Sequence, residues 1–141
     1  MTTNTQMLEE ILNDLENIGG IESSAIVRRD GVIIVSHIST DCNEETFAAM
    51  SATMLGAAET AISRIGKGVL DKVIVESKHY KIVVVGAGPN ALLIVMTSPN
   101  IGLGLIIMEV EKAAEKIKKI LKTENIVAEL NNRTFLRQTR N

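Results

Sequence analysis

Residues 46–58 read Thr-Phe-Ala-Ala-Met-Ser-Ala-Thr-Met-Leu-Gly-Ala-Ala, thirteen positions without one charged side chain. Asp41 to Asn43 supply N-cap candidates just upstream, and Gly66 and Gly68 supply a stop downstream. The spacing predicts a helix over Glu44 to Ile65, about 33 Å long at 1.5 Å per residue. Its phase is read as Phe47, Met50 or Ser51, Met54, Ala58 and Ile62 toward a sheet, with Phe47, Met50, Met54 and Ile62 as anchors. The opposite face then carries Ala49, Ala52, Thr53, Gly56, Ala57 and Thr60. A solvent-facing helix would carry Lys and Glu there, so something is expected to cover it.

Upstream, Met7, Leu8, Ile11, Leu12, Leu15 and Ile18 repeat at helical spacing until Gly19-Gly20. Two β-prone runs, Ser24 to Arg28 and Val32 to Ser36, flank Asp30-Gly31, a strong hairpin signal. Downstream come Leu70 to Ser77, Tyr80 to Gly86 and Ala91 to Thr97, joined by short connections that require an antiparallel meander. Ile82 to Val85 and Leu92 to Met96 do not alternate with polar residues, so helices are expected on both faces. A last helix is expected from about Ile101 to Lys122, acidic early and basic late, as its dipole favours. Residues 1–122 are read as the domain. Residues 123–141 are read as a tail, either a short helix interrupted at Asn131-Asn132 or disordered.

The chain has 141 residues, enough for one self-supporting core. Its net charge of −2 and its three aromatics, Phe47, Tyr80 and Phe135, give no basic field or stacking platform for nucleic acid. The single cysteine, Cys42, excludes an intramolecular disulfide and fits a reducing, cytoplasmic compartment. There is no apolar run of membrane length, and Met1 to Gln6 do not read as a secretory signal.

The chemical motifs are weak. Gly86-Ala87-Gly88 and Gly102-Leu103-Gly104 do not complete a dinucleotide loop, and Ile65-Gly66-Lys67-Gly68 lacks the Ser/Thr of a phosphate loop. His37 and His79 read as surface histidines, Cys42 as an ordinary thiol, and Arg64 as a solvated helix-end arginine. No catalytic residue, cofactor site or metal site is assigned. Two other readings stand beside a binding module: a small-molecule sensor with a core pocket, and a hydrolase or transferase built around Cys42 and the histidines.

The expected cover for this uncharged helix face is the same helix of a second copy, in a self-complementary twofold contact. An obligate contact of that kind buries on the order of 2,000 Å² or more. The alternation of Lys72, Ile74 and Glu76 with Val73 and Val75 reads as an edge strand open to pairing, unless Lys72 and Lys78 protect it. The expected interface is therefore Ala49, Thr53, Gly56, Ala57 and Thr60, with Val73 and Val75 on the edge.

The ordered set of segments resembles the Roadblock family of dynein light chains and their prokaryotic relatives. The resemblance is carried by Gly19-Gly20-Ile21-Glu22-Ser23-Ser24-Ala25, Arg29-Asp30-Gly31-Val32-Ile33-Ile34, the long Ala/Met-rich helix, Asn90-Ala91-Leu92-Leu93-Ile94-Val95 and Asn100-Ile101-Gly102-Leu103-Gly104. It covers about residues 7–121. It implies an α+β fold in the order α-β-β-α-β-β-β-α, with a five-stranded antiparallel sheet between the long helix and the two others. It also implies dimers through the long helix and third strand, and a non-catalytic regulator or scaffold of Ras-like small GTPases.

Overall fold

The computed structural model describes residues 3–39, 41, 43–66 and 68–139, with side chains in the last helix described to residue 123. Cys42 and Lys67 lie outside the described residues, as do the side chains of the tail from residue 124. The elements are α1 (Asn4–Glu16), β1 (Ile21–Arg28), β2 (Ile33–His37), α2 (Glu44–Ile65), β3 (Lys72–Glu76), β4 (Lys81–Gly86), β5 (Ala91–Thr97) and α3 (Leu103–Thr139).

Local chemistry sets the boundaries. The Thr3 hydroxyl accepts from the Gln6 amide at 3.1 Å, and Gln6 Oε1 accepts from the Thr3 amide at 2.9 Å. This reciprocal cap starts α1 three residues before the first apolar side chain. Gly19 and Gly20, at φ of 90° and 85°, turn the chain out of the helix. Asn43 Oδ1 accepts from the Thr46 amide at 2.9 Å and caps α2, and Gly66 in the left-handed region ends it.

The five strands form one antiparallel sheet in the order β2-β1-β5-β4-β3. Strands β2 and β3 are its edges. All seven residues of β5 are buried, because the sheet is covered on both faces. On one face Leu8, Ile11, Leu12 and Leu15 of α1 and Ile106, Val110 and Ile117 of α3 pack over Ile26, Val83, Leu93 and Val95. On the other, α2 sets Ala48 and Leu55 over Ala25, Val27, Val84, Leu92 and Ile94. The expected three-layer arrangement is present.

Two expectations are corrected. Met50 is not an anchor: it is 54% exposed, and the fully buried residues of α2 are Ala48, Ser51 and Leu55. Five residues at about 100° each place Met50 about 140° around the helix from Leu55. In an alanine-rich helix the apolar pattern is too even to fix the phase. Phe47 and Met54 do pack on the sheet layer, half-buried. The last helix also does not stop near Lys122 or break at Asn131-Asn132, but runs unbroken to Thr139. No glycine or proline occurs between Leu105 and Thr139, and each asparagine costs a helix only some tenths of a kcal/mol.

Candidate dimer and partner interface

Helix α2 crosses the sheet with its Ala48, Ser51 and Leu55 side down, which turns Thr46, Met50, Thr53, Ala57, Thr60 and Arg64 outward. All six are exposed, and their spacing alternates 4, 3, 4, 3, 4, a seam that runs nearly straight along the helix. Gly56 flanks it and is exposed too. Ala49 is only half-buried on the hairpin side: a Cβ placed on Gly31 would lie 3.0 Å from its Cα.

The threonines are less polar than their names suggest. Thr53 Oγ1 donates to the Ala49 carbonyl at 2.9 Å, and Thr60 Oγ1 donates to the Gly56 carbonyl at 3.0 Å. Ser63 likewise donates to the Thr60 carbonyl at 2.9 Å. With the Thr53 and Thr60 hydroxyl protons spent on their own helix, the middle of this surface presents alanine, glycine and threonine methyl groups, flanked by the exposed Met50 and Arg64.

Nothing among the described residues requires a glycine at position 56. Its φ is not positive, and a Cβ there would meet nothing within 4 Å. Mid-helix glycine costs about 1 kcal/mol relative to alanine. What its missing side chain provides is room on the outer side.

Val73 and Val75 lie on the α2 face of β3, opposite Val84 and Ile82 of β4, and both are half-buried. Strand β3 pairs only with β4, so its outer edge is unpaired among the described residues. Lys72 does not guard that edge. Its Nζ lies 3.2 Å from Glu111 Oε1 on α3, which draws the side chain over the opposite face of the sheet. Of the residues expected from sequence, Thr53, Gly56, Ala57 and Thr60 lie exposed on the outer side of α2, Ala49 is turned toward the hairpin, and Val73 and Val75 lie on the α2 face of the edge strand β3. The sequence reading missed Met50, and also Ile65 and Val69, which are 72% and 90% exposed at the α2 to β3 connection. The 46-50-53-57-60-64 spacing would have placed Met50 on the seam.

Arg29 ties this helix to the sheet. Its Nη1 donates to Glu59 of α2 at 2.5 Å and its Nη2 to the Gly88 carbonyl at 3.0 Å. Gly86 makes the room, since a Cβ there would come within 2.7 Å of Nη2.

The remaining motifs are structural. Gly86-Ala87-Gly88 forms the β4 to β5 turn, with the Ala87 amide bonded to the Ala91 carbonyl at 2.9 Å. Gly102-Leu103-Gly104 opens α3. His79 and Arg64 are exposed, and no group of side chains among the described residues could hold a metal ion. One concavity of about 570 Å³, lined by Arg28, Arg29, Asp30, Ile34, Pro89, Asn90 and Leu121, opens at the surface rather than within the core. No described helix is long and apolar enough to cross a membrane.

Comparison with known proteins agrees with this architecture. The chain is 37% identical over 112 residues to the uncharacterized protein MJ1340 of Methanocaldococcus jannaschii, covering 79% of this chain and 97% of that one. Its fold is similar to that of a solved structure described as MglB with tetrameric arrangement, at a TM-score of 0.80 and 17% identity, covering 87% and 93% of the two chains. It is similar as well to a Roadblock/LC7 domain from Streptomyces avermitilis, at a TM-score of 0.74 and 18% identity, covering 80% and 96%. The Roadblock/LC7 domain pattern matches residues 7–97. On that match, and on the five-stranded sheet between one long helix and two others, the chain belongs to the Roadblock/LC7 domain family.

Proposed function

We propose that this protein is a non-catalytic homodimeric regulator or scaffold that docks a Ras-like small GTPase or a related protein assembly. The observation that carries the reading is the outer face of α2. It is exposed, uncharged from Thr46 to Ala58, has the Thr53 and Thr60 hydroxyls bonded to their own helix, and carries a glycine whose added Cβ would meet nothing within 4 Å among the described residues. A second copy applied about a twofold axis covers Thr53, Gly56, Ala57 and Thr60 with their own counterparts, while the free edges of β3 at Val73 and Val75 come side by side. Ala49 joins that seam from its hairpin-facing flank. The resulting platform acts by holding a partner in one of its conformations, not by donating chemistry.

Family membership supports this reading, since Roadblock-type domains resembling this chain are regulators and adaptors of GTPases and of larger complexes. The titration test uses a Ras-like GTPase from the same source, loaded with GDP or with a non-hydrolysable GTP analogue. Heat of binding that favours one nucleotide state, with no nucleotide hydrolysis by this chain alone, is expected. Absence of binding in both states contradicts the GTPase part of the proposal.

A further inference from the structure

His37 ends the edge strand β2 and faces α1. Its Nε2 lies 2.5 Å from Glu9 Oε2 and its Nδ1 lies 2.7 Å from Glu16 Oε1. Glu9 and Glu16 are seven residues apart, two turns or about 10.5 Å along the helix axis. One imidazole therefore holds α1 at two points. Carboxylates at neutral pH only accept hydrogen bonds, and a neutral imidazole has a single N–H. Both contacts are made together only by the imidazolium.

The strand it holds is an edge strand, tied otherwise by its ladder with β1, by Ile33 and Ile34 against the two core layers, and by Ser36 Oγ donating to Glu44 Oε2 at 3.3 Å. Of the five residues of β2 only Val35 is buried, and among the described residues its backbone pairs on one side only, with β1. The ladder partner of His37 is Ser24, which carries no charge. Glu9 and Glu16, both from α1, are the charged groups that bear on the ring. We propose that His37 is a proton-operated clamp between α1 and the β2 edge: protonated, it bridges Glu9 and Glu16; neutral, it must release one of them and face its carboxylate with a lone pair.

Partial burial works against the charged ring, but the hydrogen bonds to Glu9 and Glu16 and their negative charge outweigh it and raise the His37 pKa above the ordinary 6.5. A group raised in the folded state contributes its stabilisation in full below its unfolded pKa, and loses it as pH climbs through the folded value. The clamp is closed below the unfolded pKa of the ring and opens as pH climbs through its raised folded value.

The test compares wild type with His37→Gln, using amide-exchange protection of residues 33–37, corrected for intrinsic rates, at about pH 5.5 and about pH 8.5. Wild type is expected to lose protection in β2 several-fold between the two, while His37→Gln shows a flat, uniformly lower value. His79→Gln, altered in the exposed turn, should follow wild type. If His37→Gln folds poorly, Glu16→Gln keeps the Glu9 contact and should show a reduced response. Equal pH dependence in wild type and in the His37 or Glu16 variant overturns the clamp, as does a His37 ring that titrates at or below 6.5 by NMR.

Discussion

Arg29 Nη1 stands 2.5 Å from Glu59 Oε1 and joins the β1 to β2 hairpin to the long helix. The same guanidinium reaches the Gly88 carbonyl, so one side chain links three segments at one end of the sheet. Its Nε is buried with no hydrogen-bond partner among the described residues, so the fork is only partly satisfied. A planar fork is needed for two divergent bonds, which lysine cannot reproduce. Glu59→Gln should lower unfolding stability by about 1–2 kcal/mol in urea, the range for a hydrogen bond to a charged group discounted for partial exposure. Arg29→Lys should cost at least as much. Wild-type midpoints in both would show that the tie contributes nothing.

Ser51 gives a prediction of opposite sign. It is fully buried beneath α2, and its hydroxyl has no hydrogen-bond partner among the described residues. An unmade hydrogen bond of this kind costs about 1–3 kcal/mol. Ser51→Ala removes the unsatisfied group, opens little space and favours helix. Thermal unfolding should move upward, and a lower midpoint would mean that the hydroxyl is satisfied in solution.

Gly31 sits at the hairpin tip with φ of 92°, and a Cβ there would come within 3.0 Å of the Ala49 backbone. A side chain pays for both the left-handed backbone and the collision with α2. Gly31→Ala is expected to lose about 1–3 kcal/mol on backbone conformation alone, with the steric contact adding to it. Denaturant titration checks this, and an unchanged midpoint would show that the hairpin packs farther from α2.

Most of the architecture is legible in the chain because local signals agree. Asp30-Gly31, Gly66 and the short β3 to β4 and β4 to β5 connections each act over a few residues, and the unbroken apolar runs of β4 and β5 announce a sheet covered twice. The phase of α2 is not legible from apolar spacing, since alanines fit either face and only the packing of Leu55 decides. The end of α3 is equally obscure, because asparagine weakens a helix without stopping it. The clamp at His37 joins residues 21 and 28 positions away, and no local pattern points to it. The candidate interface is proposed from what the helix lacks, namely charge, whereas the hydrogen bonds that silence Thr53 and Thr60 are visible only in three dimensions.

The central claim is that a second copy of this chain covers the outer face of α2, and Gly56→Arg probes it most directly. A Cβ at position 56 meets nothing within 4 Å among the described residues, and arginine is a better helix former than glycine by up to about 1 kcal/mol. Light scattering coupled to size exclusion should give twice the 15.3 kDa chain mass for wild type and the single chain mass for Gly56→Arg, with thermal stability of the fold retained. A wild-type protein that runs as a monomer, or a Gly56→Arg protein that remains a dimer, would contradict the account.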